Sequence, residues 1–274
     1  VGEEVMLNLQ VCKKEAVSWA PAGHVVAQQQ YTLLERGPLP ALSTKGGRKL
    51  ALQVEETEST VRVKNANVEA VFNRKNGQMT SLVMNSQAVV SEGQGFVYDN
   101  HRWIENDKFT RTENGLEAEG ECTVTKDGAK VVVKTVRKGS LCDTQITYTF
   151  APDGTMDMDA VFQPHTADLR RCGLVCGINP SLSQVDYYAY GPWENYNDRK
   201  DGCMVGRYTT TVDDMAEKYV KPQSMGNREG LRELKLTDAS GKGVCIRTEG
   251  NVSFSALRYT DEDLMKGQHK IWQT

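Results

Sequence analysis

Apolar and polar residues alternate one for one along much of this chain, and that period of two restricts its fold more than any other feature. Val5, Leu7, Leu9 and Val11 alternate with Met6, Asn8, Gln10 and Cys12; Val25, Ala27, Gln29, Tyr31 and Leu33 alternate with Val26, Gln28, Gln30 and Thr32. Successive side chains of a strand point to opposite faces, so these runs predict half-buried strands. Three turn signals join such runs into hairpins. Asp153-Gly154 lies between alternating segments ending at Phe150 and starting at Met156, Asp127-Gly128 lies between 121–125 and 130–136, and Asn76-Gly77 lies between 68–72 and 79–84. Asp-Gly and Asn-Gly supply the positive φ angles of tight hairpins. Helical signals are few: residues 211–218 suggest a short helical turn, and Thr260 followed by Asp261, Glu262 and Asp263 reads as a capped helix start that Gly267 would stop. The chain is therefore expected to be an all-β, antiparallel protein.

The segment from Arg36 to Arg48 is rich in Pro, Gly and Ser and lacks alternation, so residues 37–47 read as a linker. Before it, residues 1–36 hold too few strands to close a sandwich and are expected to be the remnant of a domain. After it, residues 48–274 are expected to form one large sandwich. The chain begins with Val1 and shows no basic-then-apolar leader, so it reads as a piece of a longer protein in which no signal is visible to tell a cytoplasmic from a periplasmic location.

With 39% apolar and 25% charged residues the chain can bury a sizeable core. Its 33 Lys and Arg against 36 Asp and Glu exclude a phosphate-driven nucleic-acid binder, and no apolar run approaches a membrane span. Seven scattered cysteines make no disulfide framework and read as structural thiols, and the four histidines lack metal-ligand spacing, so no metal or other cofactor is expected in this chain.

The densest chemical cluster runs from Tyr187 to Arg199. Flat aromatics such as Trp193 and Tyr196 stack on sugar rings, while Glu194, Asn195, Asp198 and Arg199 could satisfy hydroxyls. The favoured reading of those polar groups is nevertheless structural: they bond to backbone and to each other, pinning an irregular loop. Arg199 is expected to pair within that loop, with several kcal/mol lost on its removal, on the order of 3–5. A second candidate, His101 beside Asn100, sits in a polar and aromatic run that continues to Asn106 and Asp107.

These motifs carry a resemblance. Gly191-Pro192, Glu194-Asn195-Tyr196 and Asp198-Arg199 are similar to the signature near the C-terminus of the large β-galactosidases of glycoside hydrolase family 2. Tyr219-Val220, Pro222-Gln223, Gly226-Asn227-Arg228 and Leu231-Arg232 continue it in order, as do Phe254-Ser255, Tyr259-Thr260 and Leu264. Upstream, Trp19-Ala20, Ala22-Gly23-His24, Ala27 and Gln29-Gln30 resemble the last strands of the immunoglobulin-like domain that precedes the final domain there.

The resemblance implies a galactose mutarotase-like supersandwich for residues 48–274, truncated at its end, after an immunoglobulin-like remnant at 1–36. It implies an accessory region that packs on a catalytic barrel and shapes a pocket for terminal β-galactosides without performing catalysis. It places the catalytic glutamates, magnesium and sodium in the rest of the parent enzyme, which would be the partner of this chain and could form a homo-oligomer. Trp193, Glu194, Asn195, Tyr196, Asp198, Arg199, Asn100 and His101 are then the candidate carbohydrate contacts. The segment 95–102 keeps only the Asn-bearing part of the corresponding family loop. A carbohydrate-binding module and an aldose 1-epimerase-like enzyme, the latter by fold analogy, are the other readings.

Overall fold

The computed structural model describes residues 3–45, 50–104 and 115–266. Among them are seventeen strands, every pairing antiparallel, and one short helix. The expected all-β sandwich is what the chain forms.

The main core lies between two sheets. Strands β3 (Gln53–Glu56), β4 (Thr60–Lys64), β5 (Val68–Asn73), β6 (Met79–Met84) and β7 (Gln87–Val90) form one in chain order. Strands β9 (Glu121–Asp127), β10 (Lys130–Arg137), β11 (Cys142–Phe150) and β12 (Met156–Pro164) form the other. Each inner face is the apolar half of a period-two pattern: Val68, Ala70 and Phe72 from β5 meet Ile146, Tyr148 and Phe150 from β11. Phe72 packs its ring on Tyr148 and Phe150 at 5.1 and 6.3 Å between centroids. All three expected hairpins form. At the tip of β11–β12, Gly154 takes φ +90° and closes the turn by donating its N–H to Ala151 O at 3.0 Å.

A second core backs the sheet in which β15 (Met204–Thr211), β14 (Gln184–Gly191), β16 (Glu233–Thr237) and β17 (Gly243–Arg247) lie side by side. Val185, Tyr187 and Ala189 on the buried face of β14 meet Leu234 and Leu236 of β16 and Met215. Two three-residue strands, β8 (Val97–Asp99) and β13 (Gly173–Val175), pair with each other. Tyr98 of β8 reaches Phe162 of β12 at 5.9 Å.

One expectation needs correction. The strands β1 (Val5–Cys12) and β2 (Val25–Leu34) do pair, but they are exposed on both faces rather than half-buried, because among the described residues no sheet covers either face. Leu9, Val11, Trp19 and Leu33 are all at least 50% exposed. The hairpin is tied to the body by polar contacts instead. The Gln30 amide accepts the Val205 N–H at 2.8 Å and donates to the Val205 carbonyl at 2.9 Å. The Glu4 side chain, 4% exposed, accepts Arg232 Nη2 at 2.7 Å and the Tyr188 hydroxyl at 2.6 Å.

The short turn expected over residues 211–218 does form, without extending into a helix: Val212 still donates its N–H to Ser183 O at 2.9 Å, and the chain then turns through Met215 N–H to Thr211 O at 3.1 Å and Ala216 N–H to Asp213 O at 3.4 Å. The capped helix does exist, as α1 (Asp261–Lys266): Thr260 Oγ accepts the Asp263 N–H at 3.1 Å while Asp263 accepts the Thr260 N–H at 2.9 Å. Gly267, Asn106 and Asp107 lie outside the described residues.

Candidate functional site

The aromatic and polar loop begins where β14 ends. Gly191 is required there because a Cβ would come within 2.7 Å of the Tyr208 ring and 2.8 Å of the Tyr187 hydroxyl. A cis Gly191-Pro192 bond follows. Residues 196–199 close a tight turn through reciprocal backbone bonds, Tyr196 N–H to Arg199 O at 3.1 Å and Arg199 N–H to Tyr196 O at 2.9 Å. Asp198 is exposed at its tip.

Two residues knot this loop to the chain around 225–229. Asn195 is fully buried; its amide donates to Tyr190 O and Trp193 O at 3.1 and 2.9 Å, and its carbonyl accepts the Glu229 N–H at 2.8 Å. Asn227 returns a bond to Asn195 O at 2.7 Å. Glu194 has a side chain only 6% exposed and collects four donors. One oxygen takes Arg199 Nη2 at 2.5 Å and the Tyr219 hydroxyl; the other takes the Gly226 N–H at 2.9 Å and the Tyr196 hydroxyl at 3.3 Å. Burial alone would raise the Glu194 pKa, but the Tyr219, Gly226 and Arg199 donors and the Arg199 charge outweigh it and hold the carboxyl below its ordinary value. Burial pushes Tyr196 upward, with the Glu194 charge adding to it, and hydrogen bonding to Glu194 pushes Arg199 upward.

The structural reading of Glu194, Asn195 and Arg199 is thus realised, with one reversal. The pair Glu194–Arg199 forms, but the buried member is the acid, and the Arg199 side chain is 60% exposed. The loss expected on removing Arg199, on the order of 3–5 kcal/mol, would therefore come from leaving the buried Glu194 carboxylate without its countercharge rather than from stranding the guanidinium.

The second candidate cluster comes to the first. The Arg102 guanidinium lies over the Tyr196 ring at 5.2 Å, and Arg199 lies against the same ring at 5.2 Å. The turn carrying Arg102 is fixed from both ends. Asp99 accepts the His101 N–H at 3.1 Å and pairs with Arg171, which also reaches Asp261 at 3.2 Å. Asp261 accepts the Ser224 hydroxyl at 2.7 Å, and Ser224 in turn binds both the N–H and the carbonyl of Trp103. Asn100 and His101 are buried, at 1% and 7% exposure, and among the described residues the Asn100 carboxamide and His101 Nε2 have no hydrogen-bond partner. Trp193, next to Glu194 in sequence, stands 70% exposed, the most open aromatic side chain of the loop. Among the described residues no three His, Cys, Asp or Glu side chains gather as metal ligands, and all seven thiols are free.

Sequence reasoning did not single out Arg102, Arg171, Ser224 or Asp261 as parts of this assembly. Each is remote in sequence from at least one of its partners, and no local pattern signals such contacts.

The β-galactosidase small-chain family matches residues 64–271. The chain belongs to that family. The small-chain match takes in both candidate clusters, the second core and the main core apart from Leu52, Val61 and Val63, which precede it. Among full-length relatives, a β-galactosidase of Priestia megaterium is 27% identical across 97% of this chain and 27% of its own length. A β-galactosidase of Vibrio cholerae is 26% identical across 97% of the chain and 27% of its own length, and one of Streptococcus thermophilus is 24% identical across 94% and 26%. The chain therefore spans about a quarter of the length of the curated relatives it matches.

Proposed function

We propose that this chain is the accessory C-terminal region of a β-galactosidase acting on terminal β-galactosides, that it packs on the catalytic barrel and shapes the substrate pocket, and that it performs no catalysis alone. The observation that carries this reading is the state of Glu194. A glycosidase general acid needs a carboxyl whose pKa is raised, with a second carboxylate across the scissile bond. Glu194 is the buried carboxyl of the loop, and four donors hold it below its ordinary value, which suits a structural clamp. The same clamp leaves Trp193 presented to solvent on a fixed backbone, as a wall for a sugar ring.

On this reading the exposed β1–β2 hairpin is the end of an immunoglobulin-like domain, residues 37–47 link it to the sandwich, and its apolar faces are covered by preceding parts of a longer enzyme. Magnesium and sodium belong to those parts. The test uses purified chain and a chromogenic β-galactoside, for which no turnover is expected. In the longer enzyme, Trp193→Ala should raise KM for lactose more than it lowers kcat. Turnover by this chain alone that disappears when one of its own carboxylates is replaced overturns the proposal.

The exposure of Trp193 also supports a second reading, an autonomous carbohydrate-binding module. Saturable lactose binding that is lost in Trp193→Ala, with KM of the longer enzyme unchanged, would favour it.

A further inference from the structure

Two of the seven free thiols meet beside Tyr98. Cys142 opens β11 fully buried, opposite Pro164 of β12. Cys172 directly precedes β13, whose Gly173 lies opposite Asp99 of β8. The two strand pairs come together where Tyr98 of β8 packs on Phe162 of β12, two residues before Pro164. Cys172 is thereby carried over the start of β11, and its thiol hydrogen-bonds with that of Cys142. The Tyr98 hydroxyl adjoins both sulfurs.

The pair is unequal in access. Cys142 has no exposed surface, whereas Cys172 is exposed and ends the stretch 165–172, which belongs to no strand. A small oxidant can therefore reach Cys172 while Cys142 waits behind it. Closing a bond brings the sulfurs from hydrogen-bonding contact to about 2 Å, and the partner outside the sheets is the one able to move. The bond would also hold Arg171, the residue before Cys172, which pairs with Asp99 of β8 and reaches Asp261 of α1 at 3.2 Å.

We propose that Cys142 and Cys172 form a reversible disulfide in oxidising surroundings, and that this bond anchors the Arg171 segment on β11. The Cys172 thiolate attacks one sulfur of a low-molecular-weight disulfide such as oxidised glutathione, and one small thiol leaves. The Cys142 thiolate then attacks the Cys172 sulfur of that mixed disulfide, and the second small thiol leaves. The two protein thiols give up two electrons and two protons, and the small disulfide takes up both to become two thiols. Lost hydration at the Cys172 sulfur, with the adjacent Cys142 adding to it, pushes the Cys172 thiol up to about 11. Little of it is thiolate at neutral pH, so the exchange is slow there and should quicken roughly tenfold per pH unit toward that value. The inference is independent of the galactoside reading.

The experiment treats the whole chain, reduced and then freed of reductant, with oxidised glutathione from about pH 7 to pH 9. After acid quenching, remaining thiols are alkylated in denaturant and the chain is digested without reduction for mass spectrometry. Wild type should yield peptides joined through Cys142 and Cys172, sooner at higher pH. The joined chain should melt on the order of 5 °C above the reduced one, a shift that a reductant reverses. Cys172→Ser, a change at an exposed position, should keep the reduced melting temperature and lose both the joined peptides and the shift. Cys142→Ala should instead stop with glutathione on Cys172, which reports the order of the two steps. Wild type that keeps both thiols, that joins either one to another cysteine, or that melts no higher once joined overturns the proposal, as does a folded Cys142→Ala chain that takes up no glutathione.

Discussion

Replacing Glu194 by Gln should test the central clamp most directly. One oxygen becomes an amide nitrogen that cannot accept. If it faced Gly226, a buried backbone N–H fixed in direction would lose its partner. The amide should therefore turn its nitrogen toward Arg199 and Tyr219, sacrificing two charge-assisted bonds there. Bonds to charged groups contribute about 1.5–3 kcal/mol each, but Arg199 can turn to water, so the sum should be about 2–3 kcal/mol. For a chain of this size that lowers the melting temperature by on the order of 5 °C. The pH dependence has a definite sign. The folded-state pKa of Glu194 lies below its ordinary 4.5, so the stabilisation is complete above that value and is lost as pH falls through the lower folded value. Urea unfolding at pH 7 and at acid pH should show the wild type losing its advantage over Glu194→Gln as the pH drops. A difference below about 0.5 kcal/mol at pH 7, the range of ordinary surface substitutions, would refute the clamp. So would a difference that does not shrink in acid.

Three further outcomes follow from the packing. Burial works to raise Glu233, but bonds from Arg247 and Arg207 and nearby positive charge outweigh it and bring its pKa to about 2, so its stabilisation, complete above 4.5, should fade toward that value; with half-exposed partners it should amount to about 1–2 kcal/mol and shrink in high salt, read from Glu233→Gln in urea. Arg232→Met leaves the Glu4 carboxylate, 4% exposed, without its main partner; the cost should be about 3 kcal/mol, and limited proteolysis should cut the segment before residue 37 sooner than in wild type. Gly191→Ala forces a methyl against Tyr208 and Tyr187 and should destabilise by about 1–3 kcal/mol in thermal melts, with no change expected if the loop merely shifts aside.

Much of the fold is legible locally because hairpins are local. Asp153-Gly154 and Asp127-Gly128 announce their turns, and the alternation of β11 or β14 states which side chains share a face. Alternation does not state whether anything covers that face, and β1 and β2 show the difference. The site was legible as two patches, 98–103 and 187–199, but not as one assembly: the contact of Arg102 with Tyr196 spans 94 positions, and the Ser224 bridge to Trp103 spans 121. Nor does a Glu–Arg pair within one loop reveal which partner is buried. That follows from the Gly226 N–H, which demands a buried acceptor and so selects Glu194 over Arg199.

The grip of Gln30 on Val205 has a consequence for how this protein avoids sticking to itself. Strand β15 is an outer strand of its sheet, and an outer strand offers unpaired peptide groups to any other chain in extended form. A primary amide has the same donor and acceptor as a peptide bond, and Gln30 presents both to a single residue of β15, as a neighbouring strand would. The hairpin thus acts as a guard on that rim, with Gln28 reaching Gly202 one step further along. Removing the hairpin would uncover the rim at Val205, so shortened forms should aggregate through β15 before the sandwich itself unfolds.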